Sequence, residues 1–187
     1  MQQHQLGQPQ TVKIFGIFHL ILAAYGLVTS AFAIYVVIVG NPFLGLMPKT
    51  PEFAAHAQMQ ADMQAKMMPA SVITTVITLI IAILMLIAGI RLLKKRRDGL
   101  KWSNRYAWTS LAGKAVNLIL AFAFTFPMMK ELSVNMGPGS AAMPGMFGGI
   151  MVATTILTLL VMCTYPVLSL ILLNRPSTKE WFAAQPE

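Results

Sequence analysis

Long apolar runs alternate along this chain with short polar connectors. Four runs dominate: residues 14–40, 70–93, 106–128 and 147–173. Each is long enough to cross a hydrocarbon core of ~30 Å at 1.5 Å per helical residue. Inside lipid every backbone amide needs a partner within its own segment, so such runs have to be helical. The pattern predicts an all-α fold, a four-transmembrane-helix bundle, with no room left for a second domain. The connectors add two shorter elements. Thr50, Pro51 and Glu52 make a helix-start signal, and the Ala, Gln, Met and Lys residues beyond them predict a short helix over 51–68 outside the spans. Ser177 and Glu180 fit a capping box, predicting a short interfacial helix that carries Trp181 and Phe182. Residues 133–149, rich in Gly and Pro, read as irregular loop. The Gln-rich residues 1–11 read as a disordered tail.

The second and fourth runs are related. Val72, Thr74, Thr75, Thr78 and Leu79 recur 80 positions later as Val152, Thr154, Thr155, Thr158 and Leu159, and Leu92 and Leu93 recur as Leu172 and Leu173. A duplicated two-helix hairpin accounts for this, and convergent use of Thr and Leu in membrane helices is the plainer account. Each run also carries a stripe of small or polar residues at helical spacing. Gly16, Gly26 and Ser30 mark the first, Thr75, Thr78 and Gly89 the second, Ser103, Ser110, Lys114 and Asn117 the third, and Thr155 and Thr158 the fourth. Small residues let membrane helices approach closely, so these stripes are predicted to pack together. Gly26 is placed between the first and third spans.

Composition agrees with this picture: 56% of residues are apolar and mean hydropathy is +0.66. The net charge of +8 could suggest nucleic acid, but its placement points to a membrane. Lys94, Lys95, Arg96, Arg97, Lys101 and Arg105 crowd the middle connector, with Lys13, Arg91, Arg175 and Lys179 at the same ends of the other runs. The other two connectors hold only Lys49, Lys66 and Lys130. The positive-inside bias therefore predicts a cell-membrane protein, in a bacterium the inner membrane, with both termini cytoplasmic. Lys94, Lys95, Arg96, Arg97 and Lys101 would meet anionic headgroups, with Trp102, Tyr106 and Trp108 as interfacial anchors. Ala31 to Ala33 resembles a signal-peptide cleavage site, but the apolar run continues past it, so an uncleaved first span is expected. The single cysteine, Cys163, permits no disulfide within the chain. The stretch from Ala88 to Arg97, with Gly99 and Tyr106, resembles segments of small uncharacterised bacterial four-helix membrane proteins. That resemblance implies the fold and no activity.

Ionisable groups inside a membrane are functional suspects. Lys114 lies within the third run, with His19 and Tyr165 expected at similar depth. Its flexible stem predicts snorkelling toward the cytoplasmic interface; the functional alternative is contact with an anion or a headgroup. His19 reads as a hydrogen-bonded packing residue, and Asn117 as the donor or acceptor of an interhelical bond. All six acids, Glu52, Asp62, Asp98, Glu131, Glu180 and Glu187, fall outside the predicted spans. No proton relay or acid–base pair is therefore expected. Most of the 14 methionines fall near the outer connectors. His56, Met59, Met63 and Met67 would line one side of the 51–68 helix, and thioethers suit Cu(I). The plainer role for these methionines is apolar contact.

The reading is a non-catalytic, multi-pass protein that contacts lipids, a membrane-protein partner or a second copy of itself. No cofactor and no nucleic acid are expected. A small oligomeric transporter or channel with Lys114 on its path is the first alternative, and outer soft-metal binding the second.

Overall fold

A computed structural model describes residues 8–40, 51–125, 127 and 143–185, with side chains left out at 51–57, 59, 60, 125 and 143–152. Among these residues the chain is all-helical. Helix α1 runs Gln10–Val39, α2 Pro51–Leu93, α3 Gly99–Leu120, α4 Met143–Leu173 and α5 Pro176–Ala183. Helix α3 continues into a wide π-type turn at Ala121–Thr125. Four helices are long and apolar enough to cross a membrane. Their outward surface is apolar: Tyr25, Val28, Ile38, Ile119, Leu160 and Val161 are all exposed. So large an apolar surface is costly in water and matched by lipid tails. Four such helices fit a multi-pass membrane protein.

Helix α1 opens at Gln10, inside the predicted 1–11 tail and four residues (14 − 10) before the predicted span, and helix bounds differ from the sequence expectation in three further places. The predicted helix over 51–68 and the span over 70–93 form one continuous helix, α2, of 43 residues. At 1.5 Å per residue it is about 64 Å long, so it projects well beyond a ~30 Å core. Pro69 lies inside it; proline removes one hydrogen bond from a helix but need not end one in a membrane protein. Helix α3 starts at Gly99, seven residues (106 − 99) before the predicted span. The predicted loop over 133–149 is helical from Met143 onward.

The α2–α3 connector is tight for a physical reason. Arg96 N–H reaches Arg91 O at 3.0 Å and Lys95 N–H reaches Leu92 O at 3.2 Å. This is a Schellman motif, which needs a left-handed residue after the helix; Lys95 supplies it with φ 54°. Asp98 then pairs with Arg91 and, at 3.8 Å, with Arg96. Gly99 presses on the end of α2, where a Cβ would lie 3.2 Å from the Arg91 carbonyl.

Helices α1 and α2 pack through small residues. A Cβ on Gly89 would lie 3.1 Å from Gly16 O and 3.0 Å from His19 Cβ. Gly26 faces Ala82 of α2, its Cβ position 3.1 Å from the alanine's. The sequence expectation that Gly26 lies at the close approach of the first and third spans is thus corrected: its partner is α2. Against α3 the close approach is made instead by Gly113, whose Cβ would meet Ile77 and Ile81.

Helix α5 folds back beneath the bundle. Trp181 is 3% exposed, and with Phe182 it joins Val12, Phe15, Leu92 and Leu173 in one cluster. The expected short helix bearing Trp181 and Phe182 is present, and both side chains turn toward the bundle. The predicted capping box is not used. Pro176 opens the helix after Arg175, with no side-chain cap, so the chain turns sharply and aims its aromatic face inward. The cluster gathers the start of α1 and the ends of α2 and α4, placing them at one end of the bundle with the α2–α3 connector.

Candidate functional site

Helix α3 supplies a polar stripe, Ser103, Ser110, Lys114 and Asn117, and three regions of interest lie along it. Nearest the connector is a buried histidine cluster. His19 is fully buried. Its Nδ1 lies 2.7 Å from the Phe15 carbonyl oxygen, which can only accept, so this contact places the proton on Nδ1. The Tyr165 hydroxyl oxygen lies 2.6 Å from the same nitrogen and shares that proton. Nε2 is then an acceptor for the Ser103 hydroxyl at 3.3 Å. Ser103 in turn accepts from Ser169 at 3.0 Å. Ring contacts complete the cluster, with His19 4.9 Å from Tyr106 and 5.5 Å from Tyr165. Residues of α1, α3 and α4 thus meet on the imidazole. Among the described residues no carboxylate reaches it, so the acid of a catalytic triad has no counterpart. Tyr106, expected at the interface, is buried here instead, because α3 begins earlier than its apolar run.

The second region is a groove between α2, α3 and α4. Its volume is about 490 Å³, and it is lined by Thr78, Ser110, Lys114, Asn117, Thr155 and Thr158 beside Ile81, Leu159 and Met162. Lys114 does not join His19 and Tyr165, as their similar depth had suggested. Its Nζ bends back one turn and donates to Ser110 Oγ at 3.4 Å. Asn117 accepts from Thr74 of α2 at 3.3 Å, and this bond stands between the groove and a second cavity of about 460 Å³ toward the far end of α2. Met67 and Thr75 line that second cavity. The threonines expected to pack helices divide. Thr78 donates to its own helix at Thr74 O, 2.8 Å away, while Thr155 and Thr158 face the open groove rather than a helix contact. Ser30 is buried, and among the described residues its hydroxyl has no partner.

The third region is the basic end. A pocket of about 660 Å³ is lined by Arg97, Lys101, Asn104, Arg105, Trp108 and Lys179, with Asn174 at its base. Asn104 and Asn174 donate to each other, at 3.2 Å and 2.8 Å, and so join α3 to the end of α4. Trp108 is 66% exposed at the rim. Trp102 is held between the guanidinium groups of Arg91 and Arg105, at 4.9 Å and 5.1 Å, a cation–π arrangement. Of the cations singled out in sequence, Arg97 and Lys101 line the pocket. Lys94, Lys95 and Arg96 are exposed outside it. Sequence reasoning did not assign Arg105 and Lys179 to a headgroup site. Arg105 follows Lys101 by one helical turn and was findable by spacing. Lys179 arrives only because α5 folds back.

Of the soft-metal candidates, Met63 and Met67 are half-buried on α2, while the side chains of His56 and Met59 lie outside the described residues. Comparison of the chain with protein-family models, curated proteins and solved structures finds no match.

Proposed function

We propose that this chain is a non-catalytic membrane protein that holds anionic phospholipid headgroups at its basic, cytoplasmic end. The observation that carries the reading is the basic pocket. Four cationic side chains from α3, its connector and α5 surround a polar floor of paired amides, with an indole at the rim. Phosphate oxygens suit the guanidinium and ammonium donors, and an exposed Trp suits the headgroup layer. Of the two acids adjoining pocket cations in sequence, Asp98 is occupied by Arg91, and Glu180, next to Lys179, is not among the residues that line the pocket.

The test compares phosphatidylglycerol with phosphatidylcholine by native mass spectrometry of the purified protein. Each basic residue near a membrane surface contributes about 1 kcal/mol of attraction to anionic lipid. Lys101→Ala with Lys179→Ala should therefore weaken phosphatidylglycerol retention about thirtyfold and leave phosphatidylcholine unchanged. An undiminished preference for phosphatidylglycerol in the double variant would remove the pocket as the headgroup site.

Orientation has its own expected result. Reporter fusions after Arg97 and after Lys179 should report cytoplasm, and a fusion after Met63 the opposite side, because basic connectors resist translocation. The reverse pattern would place the basic pocket on the outer leaflet.

A further inference from the structure

The groove around Lys114 is distinct from the basic pocket, and its chemistry is one-sided. The Lys114 ammonium offers three donors, yet among the described residues it has one acceptor, Ser110 Oγ, at a long 3.4 Å. Asn117, which also lines the groove, has its carbonyl oxygen engaged by Thr74, so what it has left to offer a ligand is its amide N–H groups. Thr155 and Thr158 add hydroxyls from α4, and among the described residues no Asp or Glu lines the space. Such a site is built to receive acceptor oxygens and one negative charge. Around these groups the walls are apolar, with Ile81, Leu118, Leu159 and Met162. Met162 and Thr158 are exposed on the outer surface of the bundle, so the groove opens sideways toward lipid. Its volume falls in the usual range for small-molecule sites, about 300–1,000 Å³.

Depth narrows the ligand further. Lys114 Cα lies about 14 Å beyond Arg105 along α3. Its amine bends back to the level of Ser110, about 8 Å beyond Arg105 by the same rise. A phospholipid phosphate belongs with Arg105 and Trp108 at the interface. An acceptor group at the level of Ser110, about 8 Å beyond Arg105 and about 3 Å beyond Trp108, lies on the acyl-chain side of that phosphate level. We propose that this groove binds a single-chain amphiphile through its carboxylate, a fatty acid in the same leaflet as the basic end. Its two oxygens would accept from Lys114 and from the Asn117 amide or Thr155 hydroxyl, while its tail lies along Leu159 and Met162.

The experiment uses the full chain in a neutral detergent, with oleate, methyl oleate and phosphatidylglycerol as separate probes, read by native mass spectrometry and by the shift in thermal melting. Oleate should bind and raise the melting temperature, and methyl oleate, lacking the charge, should not. Lys114→Met should weaken oleate binding about tenfold or more, the loss expected when a charge-assisted hydrogen bond is removed. That variant should fold at least as well as the parent, because a costly membrane charge is gone. Lys114→Arg should keep part of the binding, and Thr155→Val should weaken it less than Lys114→Met. Lys101→Ala with Lys179→Ala should leave oleate binding intact, which separates this site from the basic pocket. Oleate binding unchanged in Lys114→Met, or equal binding of methyl oleate, overturns the proposal. Lys114-dependent binding of phosphatidylglycerol in place of oleate overturns the carboxylate assignment.

Discussion

Gly89→Leu should leave the chain unable to seat α1 against α2, and detergent-solubilised protein should melt far below the parent or fail to purify as a single species. The reason is what surrounds Gly89: Gly16 O at 3.1 Å and His19 Cβ at 3.0 Å from where a Cβ would stand. Backbone oxygen and a buried imidazole cannot rotate away. Even Gly89→Ala sets two effects against each other. Alanine gains about 1 kcal/mol of helix propensity over glycine, and overpacking costs about 1–3 kcal/mol. We expect a net loss of about 1 kcal/mol for Ala, and much more for Leu, which adds three further carbons. Gly16→Ala should be milder, since its nearest neighbour is the movable end of Leu93. Val28→Leu, on the exposed face of α1, is the control and should be neutral. If Gly89→Leu melts like Val28→Leu, the α1–α2 contact is not where the structure puts it.

The second large effect is expected at His19. Interhelical hydrogen bonds in membrane proteins average only about 0.6 kcal/mol, so the bonds to Ser103 and Tyr165 do not dominate. The volume does. Emptying a fully buried site under three rings leaves a cavity, and buried large-to-small changes cost about 2–5 kcal/mol. His19→Ala should therefore destabilise by about 3–4 kcal/mol. His19→Phe keeps a ring but strands the Ser103 and Tyr165 hydroxyls, and should cost about 1–2 kcal/mol. Thermal melts of both variants in one detergent give the order. An equal loss for His19→Phe and His19→Ala would mean that the polar network, which both remove, and not the ring packing, holds α1, α3 and α4 together. Tyr165→Phe, which deletes a single hydroxyl, should show the smallest change of the three.

The oxygen-lined groove and the basic pocket were legible to different degrees. Lys114 and Asn117 stand out in sequence because charge and amide groups are rare inside apolar runs. What they face was not legible. Thr155 and Thr158 look like packing residues from spacing alone, since a small polar residue has the same signature at a helix contact and in a groove. Gly26 shows the same limit: its spacing marks a close approach but not the helix that makes it.

The four helical spans, the clustering of basic charge at one end and the lack of a carboxylate within the predicted apolar runs all follow from sequence. They depend on local causes: a lipid-buried segment must satisfy its own hydrogen bonds, and charges stay where water is. Which faces meet is not a local matter. A soluble helix announces its buried side by an apolar stripe against a polar one, whereas here lipid makes both sides apolar and that contrast vanishes. Tertiary structure alone therefore decided that Tyr106 packs on His19 and that Gly26 meets Ala82. It also decided that α5 turns under the bundle, bringing Trp181 to the core and Lys179 to the basic pocket. The physical reason is that helix association in lipid rests on shape and a few hydrogen bonds between distant segments, which exist only once the segments are assembled.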